Sequence, residues 1–188
     1  MTSTLKTDKI EGVTSSGTVQ MPAGVVIQTV DFTYGTTVTT NSTGYVDTGV
    51  SAVITPKFSN SKIYVTGFLH CRINGNHDHG VSFKMRRHIG GSPTDIYTAV
   101  STYEHYFWDG STSGAHDHHT RFPMFVVDTP STTAECTYSY QYASMRTDYA
   151  NVTYMQTNSS PSHGFIMEIK QHPKKMSFGK SMMAAKQR

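Results

Sequence analysis

Histidine is the residue type whose number and spacing in this 188-residue chain could support chemistry. Ten histidines are present, and two clusters contain the pattern His-x-His: His77-Asp78-His79 and His116-Asp117-His118-His119. Side chains at positions i and i+2 of an extended strand point to the same side of that strand. The pair His77 and His79 and the pair His116 and His118 could therefore each present two imidazoles to one metal ion.

Two metal geometries fit these pairs. If three copies of the chain met on a threefold axis, one pair from each copy would place six imidazoles around a point, which suits an octahedral transition metal such as iron or nickel. Within one chain, His77, His79 and a histidine from residues 116–119 could instead hold zinc. The competing interpretation, favoured by the glycines that flank both clusters, places them in polar loops facing water or carboxylates. No cofactor is expected on that interpretation.

Catalytic motifs are absent from the sequence. It contains no Gly-x-Ser-x-Gly, His-Glu-x-x-His or Cys-x-x-Cys motif. A glycosidase needs two carboxylates that face each other across a cleft. Nothing in the sequence pairs the acids of the central region in this way, and we expect them to lie on the surface or in turns. These acids are Glu104, Glu135, Asp148 and Glu168. The sequence therefore predicts a protein that is not an enzyme, with a carbohydrate-active enzyme as the catalytic alternative.

An aromatic stretch beside the loop at residues 109–115 could bind a sugar. Its candidate residues are Tyr103, Tyr106, Phe107 and Trp108. Aromatic faces combined with polar loop groups suit a carbohydrate receptor. The competing interpretation is packing in the core or in a subunit interface. We expect Trp108, next to the loop, to be exposed or interfacial.

The composition predicts strands and excludes several classes of partner. Leucine occurs only at Leu5 and Leu69, whereas there are 15 glycines and 11 tyrosines, a mixture that suits short strands and not helices. The net charge of +3 is too small to indicate a nucleic-acid-binding surface. No apolar run is long enough to span a membrane, and the first residues lack the apolar core of a signal peptide. We expect Cys71 and Cys136 to be buried free thiols, although the sequence leaves a disulfide between them open.

The pattern of apolar residues predicts one all-β domain over residues 24–172. Residues 24–32 form the first strand-like run, and later runs alternate between apolar and polar residues; we count about nine or ten strands in all. The Gly-rich segment at residues 74–80 predicts a hairpin loop. Antiparallel strands without crossover helices favour a jelly-roll-like β-sandwich. Three sets of residues are each predicted to share a strand face: Ile63, Val65, Gly67 and Leu69; Cys136, Tyr138, Tyr140 and Tyr142; and Phe165, Met167 and Ile169.

The two termini differ from this domain. Residues 1–23 carry isolated apolar residues that cannot bury enough surface alone. We therefore expect an extended arm that docks on a partner, and not a frayed end. The apolar residues of this arm are Leu5, Ile10, Val13, Val19 and Met21. Residues 173–188 are basic and contain no acidic residue. We expect a solvated tail there, with a segment that contacts a neighbouring chain or a capsid as the alternative.

The first third of the chain resembles a known family. The segment STLKTDKIEGVTSSGTVQMPAGVVIQTV resembles the opening of virion appendage proteins of tailed bacteriophages, especially marine ones such as cyanophages, which begin with STLKV and continue with MPAGxVIQ. Thr7, Val50 and Val53 depart from the family pattern, and Thr7 removes an apolar contact from the arm. The matching positions are Ser3 to Lys6, Ile10, Gly17 to Val19, Met21 to Gly24, Val26 to Gln28, Tyr45, Asp47 to Gly49, Ser51, Ala52, Ile54 to Pro56 and Ser61 to Ile63.

The resemblance implies a structural protein of the virion. Such a protein is a tail-fibre, spike or head-fibre appendage, usually a homotrimer, that attaches to other tail or capsid proteins and is assembled in the host cytoplasm. Its loops could contact a glycan on the host surface. Some trimeric phage fibres and spikes also bind metal through His-x-His pairs. The alternative role is a capsid decoration or cement protein.

Overall fold

The computed structural model describes residues 23–101, 104–108, 116–148 and 150–171. Residues 1–22 of the predicted docking arm, including Leu5, Ile10, Val13, Val19 and Met21, lie outside the described residues, as does the basic tail. In the described ranges the regular structure consists of eleven strands and no helix. The strands are β1 (Val26–Tyr34), β2 (Val38–Thr40), β3 (Val46–Ile54), β4 (Lys62–Gly75), β5 (His79–Ile89), β6 (Ser92–Thr98), β7 (His105–Phe107), β8 (His116–Asp128), β9 (Cys136–Ser144), β10 (Val152–Met155) and β11 (Ser162–Ile169).

The strands form two antiparallel sheets that pack face to face. Sheet A has the order β1-β11-β4-β10-β2, and β8 pairs with the other edge of β4. Sheet B has the order β3-β9-β5-β6, and the short β7 pairs with the N-terminal end of β5. The predicted all-β, antiparallel, jelly-roll-like sandwich is therefore confirmed.

The core lies between the inner faces of the two sheets, where alternate residues of each strand meet. The predicted shared face of β4 is confirmed, because Ile63, Val65 and Leu69 are all buried on it. The predicted face of β9 is also confirmed, since Cys136, Tyr138, Tyr140 and Tyr142 are buried against them. Cys71 in sheet A and Cys136 in sheet B are buried free thiols, as expected.

The last strand turns its more apolar side away from the core. Phe165, Met167 and Ile169 share one side of β11, as predicted, but it is Ile166 and Glu168 that are fully buried. The expectation that Glu168 is a surface or turn acid is therefore wrong. The carboxylate is buried because donors from two neighbouring segments converge on it, and these satisfy a group that burial would otherwise penalise.

The predicted hairpin at residues 74–80 is also wrong. β4 belongs to sheet A and β5 to sheet B, so the segment between them crosses from one sheet to the other. The reason is that both edges of β4 are already occupied, by β8 on one side and by β11 and β10 on the other. A Gly-rich segment can serve either type of connection, and the competition for the edges of β4 decides between them.

The strand β4 runs the length of the sandwich and defines its two ends. At the first end, Lys62 pairs with Ile169, which in turn pairs with Val26. At the second end, Gly75 pairs with His116. The strand has 14 residues, so at about 3.3 Å per residue the two ends lie roughly 45 Å apart. Residues 23 and 171, the first and last described residues, therefore both lie at the first end of the sandwich.

Candidate functional site

Five aromatic rings stack between the sheets at the second end of the sandwich. They belong to His79 from β5, His105 and Phe107 from β7, and His116 and His118 from β8, and we call them the histidine stack. The ring centroids of His79 and Phe107 are 5.4 Å apart, those of Phe107 and His118 are 5.1 Å apart, and those of His105 and His118 are 5.4 Å apart. The His116 ring lies 6.4 Å from Phe107 at a tilt.

Strand register places each member of the histidine stack. His79 is directly opposite Phe107 on β7, and Val81 is opposite His105, so these inward positions coincide. On β8, His116 and His118 share the inner face, as the spacing of two predicts. The residues between and after them face outward, where the Asp117 carboxylate accepts a hydrogen bond of 2.7 Å from Nε of Arg72.

The structure therefore brings together three of the four predicted metal ligands. His79, His116 and His118 lie in the stack, whereas His77 meets it through its backbone carbonyl, 2.7 Å from Nδ1 of His79. The interpretation that both clusters lie in loops is wrong for these three, since His79 begins β5 and His116 begins β8. His105 lies outside both His-x-His clusters of the sequence, and only the pairing of β7 with β5 brings it to the stack.

Burial favours the neutral form of His79 and His105 over the charged form. Desolvation lowers the pKa of His79 below its ordinary value; the hydrogen bond to the His77 carbonyl opposes this shift, and the nearby His116 and His118 add to it. Desolvation also lowers the pKa of His105, with smaller contributions from His118 and His79. The Nε2 atoms of both rings are buried and have no hydrogen-bond partner among the described residues. Within the stack, burial thus favours the uncharged form of His79 and His105.

The geometry of the stack differs from that of a metal site. Zinc requires imidazole nitrogens that converge at about 2.0–2.1 Å from the ion, whereas these rings lie face to face with Phe107 among them. Within the described ranges, no group of three or more His, Cys, Asp or Glu residues is placed to hold a metal. Because His116 and His118 face sheet B of their own chain, a metal shared at a threefold axis stays a hypothesis about the assembled protein.

The predicted sugar-binding aromatics occupy different environments. Tyr103 lies outside the described residues, and Phe107 is part of the histidine stack. The hydroxyl of Tyr106 donates a hydrogen bond of 2.9 Å to Asp78 at the surface. Trp108 is 73% exposed, as expected for a residue next to the loop. Trp108 and Tyr106 therefore remain available for contact with a partner at the second end.

The outer surface of sheet A is unusually apolar. The register places Tyr64 between Val127 and Met167, and Thr66 between Phe125 and Phe165, on neighbouring strands. The next row contains Pro123, Phe68 and His163. Phe125 is 67% exposed, and the Tyr64 ring lies 6.1 Å from it. We call this surface the apolar face; it consists of Tyr64, Phe68, Pro123, Phe125, Val127, Phe165 and Met167.

A large groove lies on the outer surface of sheet B, away from the histidine stack. It has a volume of about 730 Å³ and is lined by polar and apolar groups in similar measure. Two carboxylates, Asp47 and Glu135, line it, and Asp47 accepts a hydrogen bond of 2.8 Å from the side chain of Gln141. His88 Nε2 lies 3.0 Å from the Ser139 hydroxyl in the same groove. Asp47 and His88 therefore make hydrogen bonds to other residues of sheet B, as is usual for side chains on the surface of a sheet.

Comparisons with known proteins find only distant structural similarity. No family model and no curated protein sequence matches the chain. The VP2 subviral particle of infectious bursal disease virus is similar at 11% identity and a TM-score of 0.37, over 77% of this chain and 34% of that chain. The Gx strain of the same virus gives 14% identity and a TM-score of 0.36, over 77% and 33%. The chain spans about a third of the length of these proteins, and similarity at this level carries no argument about function.

Proposed function

We propose that the chain is a structural protein of a tailed-phage virion, a homotrimeric fibre-type appendage that attaches to the tail or capsid through residues 1–23. The resemblance of residues 3–63 to phage appendage proteins supports the phage assignment. The observation that carries the proposal is the separation of the two ends of the sandwich. The chain enters and leaves the domain at the first end, beside Val26 and Ile169, and the exposed Trp108 lies at the second end.

This separation suits an appendage because one end is available for anchoring and the other for contact. At the first end, Gly24 donates a backbone hydrogen bond of 2.8 Å to Lys170, and Lys170 donates one of 3.1 Å to Val25. The first described residue, Ala23, therefore lies beside the last strand. About 45 Å away, the Tyr106 hydroxyl donates a hydrogen bond to Asp78, and Arg146 forms ion pairs with Asp78 and Asp148. Trp108 follows Tyr106 by two residues and is exposed. Aromatic faces next to charged and hydrogen-bonding groups suit recognition of a host glycan. The proposed role is mechanical and involves no chemical step.

A capsid decoration protein is the second candidate for the same fold. It would lay a sheet surface across the capsid lattice, and the apolar face on sheet A is suited to such a contact. The two roles differ in orientation. An appendage projects its second end outward, whereas a decoration protein lies flat on the capsid.

No helix in the described ranges has the length and apolar character required to span a bilayer.

Electron cryo-microscopy of the intact virion tests this proposal. We expect the sandwich in threefold clusters, with residues 1–23 against a tail or capsid protein and Trp108 pointing outward. A sandwich that lies flat across capsomer junctions would replace the appendage with the decoration role. Failure to find the chain in purified particles, by imaging and by mass spectrometry of their proteins, would overturn a virion role altogether.

A further inference from the structure

We infer that the apolar face is the surface on which a second copy of this chain packs. This inference rests on the proposed homo-oligomeric appendage and names its interface. Aromatic and aliphatic side chains occupy seven of the nine positions in three consecutive rows across β8, β4 and β11, and Thr66 and His163 occupy the other two. Soluble monomers seldom expose a continuous apolar patch larger than a few hundred Å², and a sheet surface of this kind is stabilised when another protein covers it.

The dimensions of the surface match those of a subunit interface. Sheet A is four strands wide at both ends, because β11 and β1 flank β4 at the first end, β10 and β2 flank it at the second, and β8 lies on its other side. With strands about 4.8 Å apart and a length of roughly 45 Å, the outer surface covers about 900 Å². The apolar face, three strands wide and three rows long, takes up about 300 Å² of it. A stable interface buries about 800 Å² on each partner, so the contact has the apolar face at its centre and extends onto the polar half of the sheet, where Arg72, Asp117, His119 and Arg121 lie.

The charges around the apolar face suit contact between copies. Arg121, which lies over the Phe68 ring at 4.9 Å, is on β8 at one edge of the sheet. Asp31 is exposed on β1 at the opposite edge, next to Phe165. Because Arg121 and Asp31 are oppositely charged, the β8 edge of one copy can meet the β1 edge of the next, and such a contact closes into a ring when repeated. An apolar centre with a charged rim is also the usual anatomy of an interface.

A charge placed on the apolar face tests the inference in the full-length chain. We expect the wild type to have a mass in solution that is three times the chain mass of 20.8 kDa, as measured by light scattering after size exclusion. The variant Phe125→Asp should lose two thirds of that mass, because it buries an unpaired carboxylate in the interface. The side chain is 67% exposed in the single chain, so the substitution leaves the fold intact.

Val53→Asp is the matched control. Val53 is 44% exposed on the outer surface of sheet B, and its replacement should leave the mass unchanged. A wild type that is monomeric, or a Phe125→Asp variant that keeps its mass, would overturn the inference. A dimer that dissociates in Phe125→Asp would support the surface and contradict the trimer, so the inference and the proposed function can fail separately.

The other candidate for covering the apolar face is residues 1–22 of the same chain. The full-length variant Leu5→Ser/Ile10→Ser distinguishes the two. We expect it to keep the wild-type mass and the wild-type binding of a dye that fluoresces on apolar surfaces. A monomeric wild type whose dye binding rises severalfold in this variant would assign the face to the arm and overturn the inference.

Discussion

Glu168 is a fully buried carboxylate that joins three segments of the chain at the first end of the sandwich. It accepts hydrogen bonds from the backbone of Lys57 at 2.8 Å and Phe58 at 3.1 Å, and from the Ser61 hydroxyl at 2.6 Å. Nε2 of Gln28 on β1 donates a further bond at 2.6 Å. Donors that are already oriented stabilise the charge in place of water. The residue therefore fixes the loop at residues 57–61 against sheet A at the first end of the sandwich.

The variant Glu168→Gln should lower the free energy of unfolding by about 2–4 kcal/mol, because an amide weakens the charge-assisted bonds and leaves a donor facing other donors. Urea denaturation at pH 7 and fixed protein concentration measures this. Glu135→Gln is the control, since Glu135 is exposed, and its effect should stay within about 0.5 kcal/mol. Equal effects of the two substitutions would show that the converging donors do not matter for stability.

The histidine stack makes stability depend on pH. Desolvation lowers the pKa of His79 and of His105 in the folded chain below the ordinary value of 6.5. The charged groups around His79 are Asp78, which favours its protonated form, and Arg146, which is paired with Asp78. Below about pH 6.5, the unfolded chain therefore takes up these protons before the folded chain does. The contribution to stability is complete above that pH and is lost as the pH falls.

Unfolding by urea at pH 7.5 and at pH 5.5 checks this prediction. The wild type should lose stability on acidification, by at most about 1.4 kcal/mol per pH unit for each titrating histidine. His79→Phe should reduce that loss, because phenylalanine does not titrate, whatever its effect on stability at pH 7.5. Equal losses in the wild type and in His79→Phe would contradict the prediction.

At the scale of the strand, β8 contributes side chains to both the histidine stack and the apolar face. Its inner face supplies His116 and His118 to the histidine stack and Phe122 to the core, where the Phe122 and Phe83 ring centroids are 4.2 Å apart. Its outer face supplies Phe125 and Val127 to the apolar face. A shift of its register by one residue would exchange these two sets of side chains. The 13-residue ladder that β8 makes with β4 prevents this shift.

The pairing of β11 with β4 depends on two glycines that face each other. Gly67 and Gly164 are paired, and the ring of Phe32 from β1 packs over Gly164. A Cβ atom on Gly164 would overlap the Phe32 ring and the Thr66 carbonyl. The glycines thus let an aromatic side chain lie directly on the backbone of sheet A.

Gly164→Ala should therefore lower the free energy of unfolding by about 1–3 kcal/mol through overpacking. Gly35→Ala is the matched control, because a Cβ atom there would make an ordinary contact of 3.7 Å with Pro161. Thermal unfolding of both variants measures the difference. If the two melted at the same temperature, the space above Gly164 would have to be larger than the structure shows.

At the scale of the whole molecule, the proposed anchoring, the proposed contact with a host and the inferred contact between copies involve three separate surfaces. The first end receives the chain termini of the domain, the second end presents Trp108 and Tyr106, and the outer surface of sheet A carries the apolar face. Contacts between copies through that face would align the sandwiches side by side and leave both ends open. The trimer expected from the sequence resemblance and the surface inferred from the structure are thus compatible.

The alternation of residues was sufficient to predict much of this fold. Period-two patterns are a local property of an extended chain, so the shared faces of β4, β9 and β11 could be predicted without knowledge of their neighbours. The same pattern predicts that His116 and His118 point to one side. The pattern does not say whether a given side of a strand faces the core or the solvent. In β11, for example, the side with Phe165 looks like the core side in the sequence, but the opposite side, with Glu168, is the buried one.

The fold class, most of the strands and the residues that share a face follow from the sequence alone, although the pattern predicts about nine or ten strands and the described ranges contain eleven. Only the tertiary structure decided that β4 and β5 lie in different sheets, that Glu168 is buried beneath an exposed Phe165, and that His105 joins His79 and His118. These outcomes depend on competition for strand edges and on donors that converge from distant segments. Such interactions form between residues that are far apart in the chain, so a local sequence pattern cannot predict them.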